Sequence, residues 1–315
     1  MHAKSMKQST LKQKVTLIGV GLHSGTKVRC TLHPAPAHHG IVFVRSDLRS
    51  IPHIKADITK VTRTDMCTTL GTEGASVATV EHLMAACAGL GIDNAAVELS
   101  AGEVPIMDGS SREFVDAILE AGIRQLPAAR KVLRLRRAVS VRYGDKRIEA
   151  LPSRKFAVKG SISFGHRLIG DQIFRYSVSA GTDESTATSF VRELASARTF
   201  GFLREVEFLH KKGLALGGSL DNAIVLDEER VLNPEGLRFK NEFVRHKVLD
   251  AIGDLALLGM PIEASIEVHK SGHELHAAFL RKVLSDQENY EIVELGRERA
   301  VSSAEEFAPA FAHAY

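Results

Sequence analysis

His246, Asp250 and Asp254 recur every four residues in the segment Phe243-Val244-Arg245-His246-Lys247-Val248-Leu249-Asp250-Ala251-Ile252-Gly253-Asp254. In a helix that spacing stacks them on one face. Val248, Leu249, Ile252 and Leu255 supply the apolar stripe that a buried helix requires. A polar ladder along such a helix is costly unless each member has a partner. An imidazole and a carboxylate one turn apart can both reach a single divalent cation, which would be that partner. A His–Asp pair on a helix surface is the plainer reading of this segment alone. A second segment, Thr79-Val80-Glu81-His82-Leu83-Met84-Ala85-Ala86, weighs against it, because an adjacent Glu and His open another apolar, alanine-rich helix.

The two segments sit in similar surroundings. His82-Leu83-Met84-Ala85 leads to Gly91-Ile92 and a strand at Ala95 to Leu99. Asp250-Ala251-Ile252-Gly253 leads to Gly259-Met260 and a strand at Ala264 to Val268. Aligning the glycines places His82 opposite Asp250. The alternatives are an internal duplication and chance similarity over few residues. A duplication predicts two similar α+β domains whose helix layers meet, bringing His82 to the face of His246 and Asp250.

Two His and one Asp leave a fourth position open, as in catalytic rather than structural zinc sites. A donor set of imidazole and carboxylate without thiolate also admits Fe2+. Glu81 points roughly 100° around the helix from His82. It can therefore stand beside a metal-bound water, whose pKa falls from about 15.7 toward about 7, and take its proton. The HExxH motif is absent, since His273-Glu274-Leu275-His276 has the wrong spacing. His273 follows a strand end, where catalytic groups often stand, although a core or surface histidine is equally open. Asp254 could pair with a histidine and hold it protonated.

The elements that must carry these groups alternate along 315 residues, enough for two cores. Strand patterns run Val15 to Val20, Lys27 to His33, Ile41 to Arg45 and Ala95 to Leu99, with helices from about Val80 to Ala88 and Arg112 to Ala121. Strands return at Lys131 to Tyr143, Arg147 to Leu151, Phe156 to Phe164 and Ile262 to His269. Later helices run Glu242 to Leu258 and Leu275 to Leu284. Gly122 to Arg130, containing Pro127, reads as a linker, dividing a domain of residues 1–126 from one of residues 127–315. The acidic tail after Ser285 is expected to be only partly ordered.

Composition excludes several classes. Hydrophobic content of 44% and charged content of 25% describe a soluble globular protein, and a net charge of +3 is too small to argue for nucleic acid. Three scattered cysteines form neither a disulfide framework nor a CxxC site and suggest a reducing compartment. The basic N-terminal stretch lacks an apolar core, and no uncharged run is long enough to span a bilayer, so a cytoplasmic location is expected. No obligate protein partner is indicated.

Gly19-Val20-Gly21-Leu22-His23-Ser24-Gly25 leads into a strand rather than a helix, so it reads as a tight strand-to-strand turn and not a dinucleotide loop. Phe200 to Leu226 reads as a β-α-β unit rich in apolar residues, with Leu214 to Ser219 as a strand ending in a glycine pair. It is either an ordinary unit packed on the core or a channel for an acyl chain. Phe200, Gly218 and Ser219 are its candidate substrate contacts.

Taken together, GVGLHSG, TVEHLMAA, EVPIMDGSS (Glu103 to Ser111), SARTFGF, GLALGGS, LRFKNEFVRHKVLDAIGDL and HKSGH resemble the UDP-3-O-acyl-N-acetylglucosamine deacetylases, zinc enzymes that commit lipid A synthesis. The motifs occur in the family's order and cover roughly Thr10 to Leu284. The resemblance implies two α+β domains, each with a small insert, and an active site between them. It assigns zinc to His82, His246 and Asp250 and the general base to Glu81. His273 becomes the cationic partner or general acid, supported by Asp254, and Thr199 helps hold the oxyanion. Lys247 and Lys270 fall where a diphosphate would lie, and Phe164 where uracil would stack. The segment Phe202 to Leu226 would form the acyl passage. Asp65-Met66-Cys67 departs from the family's pattern near the site mouth, a difference that bears on acyl contacts rather than chemistry. The expected substrate is a small acylated UDP-sugar. The rivals are a metal phosphoesterase, which usually needs a second metal, and a non-catalytic module that binds acylated sugar nucleotides.

Overall fold

The computed structural model describes residues 7–177 and 186–296. The expectations for the extreme N-terminus, and for the tail beyond residue 296, lie outside the described residues. The fold is mixed α+β, with two main sheets, several small ones and six helices among the described residues.

β1 (Lys7–Leu11) is followed by β2 (Val15–Val20), β3 (Lys27–Pro34), β4 (Ile41–Arg45) and β5 (His53–Lys55). With β9 (Ala95–Leu99), the last four make a five-stranded sheet in the order β2-β3-β9-β4-β5. On β9, buried Ala95, Val97 and Leu99 alternate with less buried neighbours, the period of a half-buried strand. A small sheet of β6 (Val61–Arg63), β7 (Thr69–Thr72) and β8 (Ala75–Val77) leads into α1 (Glu81–Leu90). α2 (Arg112–Ala121) packs near β2.

The second main sheet holds β11 (Lys131–Leu135), β12 (Val139–Tyr143), β13 (Lys146–Pro152), β14 (Ala157–Ser163) and β15 (Asp171–Ser177), with β18 (Ile262–His269) and β19 (Tyr290–Glu294). α5 (Glu242–Leu255) and α6 (His273–Leu284) pack on it, while α3 (Thr186–Glu193) packs against α1. β16 (Phe200–Phe202), α4 (Leu203–Lys211) and β17 (Ile224–Leu226) form the insert.

Pairing in β2-β3-β9-β4-β5 runs antiparallel, antiparallel, parallel, antiparallel. The same series describes β12-β13-β18-β14-β15. The central strands β9 and β18 each follow a buried helix whose run ends at a left-handed glycine, Gly91 with φ 72° and Gly259 with φ 75°. α1 packs against α5, and α5 in turn lies on β14 and β15. One continuous apolar core includes Phe43 and Val97 of the first sheet and Val158 and Ile266 of the second.

Several local expectations are corrected. Gly122 to Arg130 is not a linker: Ile123–Ala129 is β10, antiparallel to β1, and it runs through the expected division at residue 126. Pro127 is tolerated there because the two-stranded ladder is an edge. Lys131 to Tyr143 is two strands, broken at Arg136 to Ala138. α6 begins at His273, two residues before the expected start. β19 pairs with β11 beyond the last expected helix. In the insert, β16 and β17 are parallel, but Leu214 to Ser219 is no strand; the returning strand is Ile224–Leu226. The glycine-rich motif is the expected turn between β2 and β3. A Cβ on Gly21 would come within 2.3 Å of Glu103 Oε2, the carboxylate that accepts the His23 and Ser24 amides.

Candidate active site

The start of α1 packs against α5, and that contact assembles the site. His82 lies in the first turn of α1, one residue after Glu81. His246 and Asp250 lie one turn apart on α5. His82 Nε2 is 3.4 Å and His246 Nε2 3.3 Å from Asp250 Oδ1. The two imidazole rings meet edge to face with centroids 5.0 Å apart. One ligand atom from each residue lies within 4.8 Å of the others, and all three side chains are buried.

Whether this trio fits a cation can be judged from its hydrogen bonds. His246 Nδ1 faces the Ala197 carbonyl at 3.1 Å, so it carries the proton and Nε2 turns a lone pair toward Asp250. Burial pushes the His246 pKa down to about 3, keeping the ring neutral. Asp250 Oδ2 accepts from Lys247 Nζ at 2.7 Å, while the buried Oδ1 has no hydrogen-bond partner. Burial opposes the Asp250 charge, but His246 and Lys247 outweigh it and hold the carboxyl well below its usual range. Two imidazole nitrogens and an unsatisfied carboxylate oxygen thus converge on one point, as a tetrahedral cation site requires. His82 Nδ1 is also buried without a partner.

A second chain of groups runs beside the trio. Glu81 Oε2 accepts the Thr68 amide at 3.2 Å, and Oε1 lies 3.6 Å from His273 Nε2. Burial raises the Glu81 pKa, with His273 and His82 opposing. His273 Nδ1 donates to Asp254 Oδ2 at 2.7 Å, and Thr68 Oγ1 donates to Asp254 Oδ1 at 2.6 Å. Burial works against an imidazolium at His273, but Asp254 and Glu81 outweigh it and raise its pKa to about 9. The two carboxylates are therefore pushed apart: Glu81 is drawn toward neutrality, while His273 and His276 outweigh burial and lower Asp254.

Asp254, His273 and His276 form a second compact trio. Both imidazole Nδ1 atoms are already 2.7 Å from Asp254 Oδ2. Their polar atoms satisfy one another instead of converging on an open point.

The remaining expected residues are spread around this centre. Thr199 is half-buried; its amide donates to the Gly109 carbonyl at 2.7 Å, two residues after the Ala197 carbonyl that holds His246. Phe200 lies 6.3 Å from the His246 ring, and Phe164 lies 5.7 Å from Phe200 and 6.2 Å from Phe202, forming one aromatic wall. Lys247 is committed to Asp250, which outweighs burial and raises the lysine's pKa. Lys270 binds exposed Asp145 at 2.8 Å. Gly218 and Ser219 belong to a turn: the Gly218 amide reaches the Ala215 carbonyl, and the Ser219 amide reaches Asn222 Oδ1 at 2.8 Å. The preceding residues cross to the first sheet, where Leu216 and Gly217 donate to the His23 and Leu22 carbonyls.

Four supporting residues had no role in the sequence reading. Thr68 bridges Glu81 and Asp254. Arg198, 2% exposed, donates to Glu242 Oε1 at 3.0 Å and to the Gly236 carbonyl at 2.6 Å, and Glu242 also accepts the Arg198 amide. This clasp fixes the segment bearing Ala197 and Thr199, which leads into β16, to the start of α5. Glu103 receives the Thr79 hydroxyl at 2.9 Å and pins a residue with φ 57° two positions before Glu81, a conformation costly for a β-branched side chain. The SARTF and EVP motifs contained Arg198 and Glu103, but no local spacing marked them. Cys67 is an inert neighbour, its thiol pushed up to about 12 by burial and Glu81.

Among known proteins, the family model for UDP-3-O-acyl N-acetylglycosamine deacetylase (LpxC) matches residues 8–285. A protein of Myxococcus xanthus named UDP-3-O-acyl-N-acetylglucosamine deacetylase is 51% identical over 93% of this chain and 91% of its own length. Proteins of the same name from Campylobacter fetus and Alcanivorax borkumensis are 46% and 50% identical, over 96% and 91% of this chain and 100% and 93% of theirs.

Proposed function

This chain belongs to the UDP-3-O-acyl N-acetylglycosamine deacetylase family, and we infer that it hydrolyses the 2-acetamido group of UDP-3-O-acyl-N-acetylglucosamine, releasing acetate for lipid A synthesis. The observation that carries this reading is the unsatisfied Asp250 Oδ1 between two imidazoles, beside the Glu81–His273–Asp254 chain. His82, His246 and Asp250 would hold the metal, zinc by the family resemblance; their N and O donors also suit Fe2+. When bound, such a cation acidifies water and polarises a carbonyl oxygen.

The protein's own groups divide the remaining work. Glu81 Oε1 receives a proton as water attacks the acetamide carbon, while the Thr68 amide fixes Oε2. The Thr199 hydroxyl supports the oxyanion. His273 Nε2 gives its proton to the departing amine as the C–N bond breaks, and Asp254 holds the ring through Nδ1. The products are acetate and the free 2-amine.

The insert takes the acyl chain. No residue of α4 is buried, and Leu203, Phe208 and Leu216 are 50%, 59% and 51% exposed. Such side chains belong to an open passage rather than a packed unit. The wall of Phe200, Phe202 and Phe164 joins that passage to the His246 face. In this reading Phe164 takes the uracil on its free side, and Lys247 and Lys270 lend positive charge to the diphosphate. No helix among the described residues is long and apolar enough to cross a membrane, and a cytoplasmic location follows from the cysteine usage. Acetate release from the acylated UDP-sugar tests the activity directly; intact substrate after incubation with metal-loaded protein would contradict it.

A further inference from the structure

His276 is buried completely, and both of its nitrogens are engaged. Nδ1 lies 2.7 Å from Asp254 Oδ2, and Nε2 lies 2.9 Å from Ser271 Oγ. It touches neither the candidate cation ligands nor Glu81 through any hydrogen bond. Its place in the network is nevertheless specific, because Asp254 Oδ2 is also the atom that holds His273. A carboxylate accepts and does not donate, so each Nδ1 must carry a proton. With Nδ1 protonated, Nε2 can accept from the hydroxyl of half-buried Ser271, 2.9 Å away. With Thr68 on Oδ1, Asp254 receives three donors, two from α6 and one from the segment before β7, which sets its plane.

We propose that His276 is a positioning residue for the deacetylation. By donating to the carboxylate oxygen that holds His273, it orients Asp254 and limits how strongly Asp254 retains the His273 proton. This role rests on the reading of His273 as the acid. Around His273 the titratable groups are Glu81 on α1, Asp250 and Asp254 on α5, His276 on α6, and His23 in the turn between β2 and β3. His276 is the one of these that shares Asp254 Oδ2 with His273 at hydrogen-bond distance. Its N–H dipole places positive charge beside the oxygen that binds His273. Removing that dipole concentrates the Asp254 charge on His273 and makes the imidazolium harder to deprotonate. An acid that holds its proton too tightly transfers it poorly, so kcat falls while KM is unchanged.

The test is a side-chain NMR titration of the His273 imidazole in the zinc-loaded protein, with pH profiles of kcat/KM beside it. His276→Phe keeps the ring's bulk and removes both nitrogens. Its His273 midpoint should rise by about one pH unit, the scale of a hydrogen bond to a charged group. His276→Asn puts an amide N–H near the position of Nδ1 and should restore the wild-type midpoint and kcat. One midpoint shared by all three proteins overturns the proposal. If the Phe variant does not fold, Ser271→Ala decides: freeing Nε2 should move the midpoint upward by less, and no movement overturns it. A moved midpoint without a matching move in the basic limb of kcat/KM overturns the positioning role in deacetylation and removes His273 as the acid, while one midpoint in all proteins with an intact basic limb overturns only the role of His276.

Discussion

Gly253 of α5 lies against the backbone of Glu81 at the start of α1: a Cβ on Gly253 would come within 2.0 Å of the Glu81 carbonyl oxygen. This contact sets how closely the two helices cross, and through that crossing His82 reaches His246 and Asp250. Because the obstructing atom is backbone, no side-chain rotation relieves it. Gly253→Ala should cost about 1–3 kcal/mol by overpacking and weaken metal binding by separating the ligands. Chelator competition and thermal melting measure both, and unchanged values in the variant would show that the crossing tolerates expansion.

Glu81 stands next to the proposed ligand His82 but faces His273. Glu81→Ala should therefore keep its metal and lose about 10²-fold or more in kcat, the scale of a positioned base. Metal content and turnover, measured on one preparation, separate this from a ligand role, in which both would fall together.

The pH profile of kcat/KM should be a bell. Glu81 acts deprotonated, and burial raises its pKa, so activity rises with pH through a point above the ordinary glutamate range. His273 acts protonated, with burial outweighed by Asp254 and Glu81, so activity falls as pH rises through about 9. His273→Ala should flatten the basic limb and leave the metal bound; a basic limb that survives in this variant belongs to another group.

Leu216 is exposed and Leu214 half-buried in the insert. Leu216→Asp should melt like wild type yet lose discrimination between long and short acyl chains. Each buried methylene contributes about 0.8 kcal/mol, roughly fourfold in kcat/KM. Leu214→Asp requires a melting comparison before its kinetics are interpreted. Normal discrimination in two folded variants would place the acyl passage elsewhere.

The ladder on α5 and the Glu-His pair on α1 were legible because helical period alone puts His246 and Asp250 on one face. The strands β2, β4, β9 and β18 were legible from short apolar runs with turn signals at their ends. Thr68 was not, because its value lies in contacts 13 residues away to Glu81 and 186 residues away to Asp254. The same holds for Arg198 and Glu242, a buried ion pair whose members are ordinary surface residue types in the sequence. Leu214 to Ser219 misled because its apolar residues dock on the His23 turn through scattered amides instead of a ladder. β10 misled because Pro127 ordinarily breaks a strand, and only the edge position of the pair permits it.

His82, His246 and Asp250 are proposed to hold one catalytic metal. The most direct measurement is metal content per chain alongside acetate release from UDP-3-O-acyl-N-acetylglucosamine, for wild type, chelator-treated wild type and His246→Ala. Wild type should carry one metal and full activity, with both lost after chelation and restored by added Zn2+. His246→Ala should show low occupancy and no measurable turnover. Undiminished acetate release from the metal-free protein, or full occupancy and normal turnover in His246→Ala, would contradict this assignment.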